Sequence, residues 1–359
     1  MVFSSAAVCN PATEKCIVLL VLQTPGTLDI QSVGQSHNLS MNSFSEKLAA
    51  AIQAKQSPVC VGLDPRWQLL PESLRQPSQT HGQNEQVQQA AAFAEFCQRV
   101  IDVVAALVPV VKPQVAFFEQ LGPPGLMALR QVIAYARRRE LLVIVDAKRN
   151  DIGSTAAAYA AAYFGPHAAW PADALTVSPY LGDDSLLPFV SAAREHGGGV
   201  FVLVKTSNPG GRQFQDLSSG GRPLYRHVAE FVERLAAEDA RLDDDTPGYG
   251  NIGAVVGATY PEQLAELRAA MPHAWLLIPG YGSQGGAAAD TAAGFDSRGL
   301  GAIVNNSRGI IFAHQLPEYA SFGSARWQEA IEAATREMIA QLAAATPAAR
   351  LKSPPVKQC

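Results

Sequence analysis

Between residues 58 and 309 the chain carries eight short apolar runs, each nearly unbroken. They are "PVCVGLD" (58–64), "VPVVKPQVAFF" (108–118), "LLVIVDAK" (141–148), "ALTVSPY" (174–180), "GVFVLVKTS" (199–207), "IGAVVGAT" (252–259), "WLLIPGYG" (275–282) and "GAIVNNSRG" (301–309). Continuous rather than alternating apolar runs mark strands covered on both faces, as in a parallel sheet. The segments between them switch to helical period. Phe93, Phe96, Val100, Val104 and Leu107 recur every three or four residues, as do Trp327, Ile331, Ala334, Met338 and Leu342. Eight strand–helix repeats over roughly 300 residues fit a single-domain (β/α)8 TIM barrel, whose usual size is about 250 residues. A doubly wound sheet is the runner-up, and the absence of a second composition type favours closure.

The flanks read differently. "MNSFSEKLAAAIQAK" opens a helix with Ser43 as N-cap and Glu46 three residues on, so the barrel domain is expected over 41–345. Residues 1–40 read as an N-terminal extension, disordered or the product of a misplaced start. The proline-punctuated 346–359 reads as a disordered tail. The run "CIVLLVL" (16–22) is too short to span a bilayer and lacks the flanks of a signal peptide.

Composition narrows the function class. With 48% hydrophobic and 17% charged residues the chain can bury a sizeable core, and a net charge of −4 argues against a nucleic-acid surface. Five cysteines without a CxxC pair fit neither a disulfide framework nor a zinc cage, so reduced thiols in a cytoplasmic protein are the simplest reading. Seven scattered histidines offer no metal motif, and no metal site is expected.

Polar residues collect where the strands end: Asp64, Lys112, Asp146 with Lys148, Ser178, Thr206 with Ser207, Thr259, Gln284 and Arg308. Polar residues also mark strand ends as they enter loops, and for any one position that reading is as good. As a set, the ends share the barrel mouth, where active sites of this fold sit. In "VDAKRNDI" residues two apart on a strand share a side, which aims Asp146 and Lys148 into the mouth, with Lys112 arriving from the neighbouring strand. Alternating ammonium and carboxylate groups keep one another ionised. A network of that kind that only tied strand ends together would be a poor source of stability. Later, "PGYGSQGG" carries GxGxxG as Gly280, Gly282 and Gly285. The match is weak for a dinucleotide fold because it falls so late, whereas the loops after strands seven and eight of a barrel commonly cradle phosphate. Arg308 offers that phosphate a bidentate fork. The segment 207–225, rich in Gly and Ser, is expected to order over ligand.

"DAKRNDI" resembles the DxKxxD signature of the orotidine 5′-phosphate decarboxylases. "VGLDPR", "VKPQVAFFE", "SPYLGDDSL", "KTSNPGG", "VGATYPEQL", "IPGYGSQGG" and "NNSRGI" resemble the same family in the same order, over about residues 43 to 340, nearest to its longer bacterial subgroup (type 2). The resemblance implies a cytoplasmic homodimer that converts orotidine 5′-phosphate to uridine 5′-phosphate and CO2 in pyrimidine synthesis, with no cofactor and no nucleic-acid or membrane partner. It implies that Lys148 protonates C6, that Asp146 opposes the substrate carboxylate, and that Lys112 completes the array. Asp64 would bind ribose hydroxyls, with Asp151 and Thr155 supplied by the partner subunit. Ser207 would bond the base, Gln284 phosphate and base, and Gly280, Gly282 and Arg308 the phosphate, while Ile152 and Pro279 would line the carboxylate pocket. Asn150 stands where many relatives have glycine, and "VNNSRGI" lacks the usual glycine before the arginine.

Three other readings follow from the same residues. A magnesium-dependent sugar-phosphate decarboxylase or aldolase would need another carboxylate beside Asp146. A Schiff-base aldolase would use Lys148 or Lys205. A catalytically dead barrel would bind nucleotides as a regulator.

Overall fold

The computed structural model describes residues 3–10, 15–22, 43–75, 84–240, 242–243, 246–282 and 285–352. It divides into two units, Met1–Met41 and Asn42–Cys359. In the first, Phe3–Asn10 and Lys15–Leu22 pair as an antiparallel hairpin, in a region where no regular structure was expected. The apolar run at 16–22 forms one of its two strands.

The second unit is a closed parallel barrel. Its strands are β1 (Val59–Leu63), β2 (Val110–Pro113), β3 (Leu142–Arg149), β4 (Ala174–Val177), β5 (Gly199–Lys205), β6 (Ile252–Val256), β7 (Leu276–Ile278) and β8 (Ala302–Asn306). They neighbour one another in chain order, and β8 closes on β1 through Val304↔Val59 and Asn306↔Val61. All eight apolar runs became strands, which settles the barrel over the doubly wound alternative.

Helices fill the outer layer where the periodicity placed them. α1 (Phe44–Lys55) starts on a full capping box between Ser43 and Glu46. α2 (Glu85–Val104) turns Phe93, Phe96, Val100 and Val104 inward. α3 (Gly122–Arg138), α4 (Gly153–Tyr163), α5 (Leu187–Glu195), α6 (Leu224–Asp239) and α7 (Pro261–Ala270) follow β2 to β6. α8 (Trp327–Ala345) completes the ring, and Phe96 stacks on both Phe312 and Trp327, with centroids 5.5 and 5.4 Å apart. Aromatic stacking thus ties α2 and α8, the helices that follow β1 and β8, across the seam where the barrel closes.

The C-terminal boundary needs correction. Beyond 345 the chain does not leave the barrel: Pro347–Lys352 forms a 3-10 turn, and Ala348 and Leu351 join the core. Thr346 caps that turn by accepting from the Ala348 N–H at 3.1 Å. Burial of two apolar side chains outweighs the proline signal. Residues 353–359 lie outside the described residues.

Candidate active site

Strand β3 is regular only as far as Val145. Val145 pairs with Leu175 and Arg149 with Val177, so four steps on β3 oppose two on β4. The excess is taken up in a bulge in which Lys148 adopts a left-handed backbone, φ 49°. Strand alternation therefore does not explain how Asp146 and Lys148 meet; the bulge does. A left-handed lysine costs energy and persists only when its surroundings enforce it. Here the Lys148 N–H donates to Thr176 Oγ at 3.0 Å, and Ser178 N–H closes the far side onto the Arg149 carbonyl at 2.9 Å.

Asp146 is the hub. Its Oδ2 accepts from Lys112 Nζ at 2.5 Å and Gln114 Nε2 at 3.1 Å, and its Oδ1 accepts from Lys148 Nζ at 2.5 Å and Thr176 Oγ at 2.9 Å. Four donors on one carboxylate compensate for its removal from water. Burial alone would raise the Asp146 carboxyl, but Lys112 and Lys148 overcome it and hold the group below the usual carboxylate range. Burial likewise pushes Lys112 down, and the carboxylates of Asp146 and Asp64 more than reverse that, so it stays an ammonium.

The two lysines differ in one respect that matters. The Lys112 side chain is 7% exposed and that of Lys148 is 45% exposed. The hub is thus anchored from beneath by Lys112 and presents Lys148 to the mouth. Asp64, just beyond β1, has a buried Oδ1 with no hydrogen-bond partner among the described residues. A buried acceptor of that kind fits a ligand hydroxyl.

The loop after β7 opens with Pro279, half-buried, and turns through Gly280 and Gly282, at φ 99° and 68°. Both lie in the left-handed region that favours glycine. The turn is closed by the Gly282 N–H donating to the Gly286 carbonyl at 2.8 Å. Gly282, Asn306, Arg308 and Gly309 help to line a cavity of about 980 Å3, which none of the lysine–aspartate array lines. Glu318 and Glu337 also line it, and Arg308 is its one cationic lining residue among the described residues.

Ser207 is half-buried beyond β5, its carbonyl accepting from Thr259 Oγ at 3.4 Å. Asp151, half-buried, accepts the Ile152 N–H at 2.8 Å, while Ile152 and Thr155 are exposed at the start of α4. Gln284 lies outside the described residues. The structure therefore joins Lys112, Asp146 and Lys148 directly, and sets Gly282 and Arg308 in the lining of a cavity that includes none of those three. Asp151 and Thr155 bond to none of them within the chain.

Three polar residues escaped the sequence reading: Gln114, Thr176 and Asn306. Thr176 interrupts the apolar run "ALTV", a signal passed over in favour of Ser178. Gln114 stands two residues after Lys112. Asn306 is the last residue of β8 and accepts the Gly309 N–H at 3.2 Å. The segment 207–225 has local structure of its own. It is folded as a 3-10 turn (Pro209–Gly211), a short helix (Arg212–Gln215) and a two-rung hairpin.

Comparison with known proteins gives concordant matches. The family model described as "Orotidine 5'-phosphate decarboxylase / HUMPS family" matches residues 57–321. An orotidine 5′-phosphate decarboxylase of Rhodopirellula baltica is 54% identical over 307 residues, covering 84% of this chain and 99% of the relative. One of Deinococcus radiodurans is 44% identical over 277 residues, covering 76% and 90%. The solved Leishmania donovani OMP decarboxylase superposes with a TM-score of 0.63 at 36% identity, covering 84% of this chain and 98% of that one.

Proposed function

The chain belongs to the orotidine 5′-phosphate decarboxylase family, and we propose that it decarboxylates orotidine 5′-phosphate to uridine 5′-phosphate with the Lys112–Asp146–Lys148 array as its catalytic centre. One observation carries this assignment: a single buried carboxylate holds two ammonium groups, one sealed beneath it and one reaching the mouth.

In the reaction the C6–carboxylate bond breaks, CO2 departs, and its electron pair stays on C6 in an orbital with no π system to spread into. Lys148 faces that centre and transfers a proton from Nζ to C6, to be reprotonated from solvent. Asp146 sits against the substrate carboxylate, disfavouring it in the ground state, and fixes Lys148. A unit-charge contact at 4 Å contributes about 4 kcal/mol at an effective dielectric of 20. The hardest enzymatic reactions need on the order of 20 kcal/mol. Preorganisation supplies part of the difference, and binding energy from the phosphate end supplies more. Gly280, Gly282, Gln284 and Arg308 take the phosphate, Asp64 the ribose and Ser207 the base. Pro279 and Ile152 border the departing CO2.

The site is completed by a second copy of the chain. Asp151, half-buried, and Thr155, exposed, stand at the start of α4, whose exposed residues include Ala157, Ala158, Tyr159 and Ala161, and reach the partner's site in a homodimer. A cytoplasmic location belongs to the same reading, and the buried free thiols Cys60 and Cys97 support it. Among the described residues no helix is long and apolar enough to cross a membrane. The magnesium-dependent alternative is disfavoured because both Asp146 oxygens are already engaged by ammonium groups. Replacing Lys148 by Ala tests the assignment. The variant should fold and bind uridine 5′-phosphate while turnover falls by about 10⁴-fold or more. Turnover near wild type would remove Lys148 from the mechanism.

A further inference from the structure

Among the described residues the decarboxylation leaves one buried lysine unused. Lys205, the last residue of β5, is 1% exposed, and its ammonium pairs with Asp216 in the segment that follows. The rings of Tyr225, at the start of α6, and Tyr260, just before α7, stand 5.2 and 5.3 Å from Nζ. A charge pair flanked by two aromatic faces is held more firmly than one in water. Its burial counts against Lys205 as the lysine of a Schiff-base aldolase, because a nucleophilic amine must be reachable.

The contacts around Lys205 all bind the same segment. Gln215 receives the Thr206 N–H at 3.0 Å and returns a bond to Thr206 Oγ at 2.7 Å. Arg212 lies over the Tyr260 ring at 4.9 Å and donates to its hydroxyl at 3.1 Å. Ser207 follows within two residues of Lys205, packed so closely on Gly257 that a Cβ there would meet it at 2.8 Å. We infer that the Lys205–Asp216 pair is a clasp that positions the β5–α6 segment, and Ser207 with it, over the base end of the substrate. The inference deepens the functional reading above and rests on it. Lys205 is a positioning residue; it touches no reacting atom.

The clasp separates ligands by chemistry. It should matter for a ligand that carries a pyrimidine and not for a bare sugar phosphate, which needs only the Arg308 end. The test is the double variant Lys205→Met/Asp216→Asn, which keeps volume and leaves no charge unpaired, alongside Lys205→Arg, which keeps the cation. For the double variant, KM for orotidine 5′-phosphate and Kd for uridine 5′-phosphate should each rise about tenfold, kcat should change less, and Kd for ribose 5-phosphate should hold. Lys205→Arg should recover part of the loss. Equal weakening of both ligands with a lowered melting temperature would make the pair merely structural, and unchanged binding of uridine 5′-phosphate would remove its role. If wild-type protein did not turn over orotidine 5′-phosphate, the functional reading would fall instead, which the same assay reports separately.

Discussion

Two lysine–aspartate pairs, each with a buried lysine, stand at the mouth of this barrel, and their surroundings differ. Lys205–Asp216 is closed off by tyrosine rings and bonded into a folded segment. Lys112–Asp146 is continued outward by a second ammonium, Lys148, whose side chain is 45% exposed. In the first pair the buried ammonium is matched by a half-buried carboxylate and two rings, and the pair serves to hold a shape. The second has one charge left facing the cavity, on a residue whose backbone is held left-handed. Buried ion pairs contribute little net stability by themselves, so what distinguishes a catalytic pair is the unspent end.

The sharpest way to break the comparison is at its hub. Asp146→Ala should abolish turnover and cost about 3–5 kcal/mol in chemical denaturation, because Lys112 is left buried and unpaired. A loss below about 1 kcal/mol would mean that the Asp64 carboxylate suffices to hold the Lys112 ammonium. Next in size is subunit complementation. Lys148→Ala and Asp151→Ala homodimers should each be inactive, and mixing them through reversible unfolding should restore about a quarter of wild-type activity, since mixed dimers hold one intact site. No recovery would argue that Asp151 acts within its own chain. Arg308→Ala should weaken binding of uridine 5′-phosphate and of ribose 5-phosphate alike by about 10- to 100-fold, read by calorimetry. An effect confined to the nucleotide would move Arg308 away from the phosphate.

The smallest effect concerns pH. Asp146 is depressed in the fold, so its stabilising contribution is present above the ordinary 3.8 and is lost as pH falls through the lower folded value. Lys112 is raised, so its contribution is present below the ordinary 10.5 and is lost as pH rises through the higher folded value. Between those limits neither group should titrate, and below 3.8 stability should fall by up to about 1.4 kcal/mol per pH unit on account of Asp146. Denaturation of Asp146→Asn beside the wild type should show that acid slope reduced.

The same contrast explains what the sequence made legible. Eight unbroken apolar runs specify a buried parallel sheet, because only strands covered on both faces tolerate so little polarity. Asp146, Lys148 and Lys112 stood out because charge at the end of an apolar run is costly unless used. The bulge did not stand out. The left-handed Lys148 depends on pairing between β3 and β4 and on Thr176, a partner 28 residues away. Gln114 was hidden for a similar reason, since its value lies in one oxygen of Asp146. Leu351 was hidden by proline, a local signal that cannot report a tertiary pocket. Pattern reveals what each residue must avoid; the partner it finds is a property of the fold.

The central claim is that charges fixed by the fold suffice to release CO2 from a pyrimidine nucleotide. The most direct measurement follows the absorbance of orotidine 5′-phosphate mixed with the purified wild-type protein, with and without chelator. The account predicts loss of the substrate band at the same rate in both, with uridine 5′-phosphate as product. A substrate band that persists, or a rate that collapses in chelator and returns with magnesium, would contradict it.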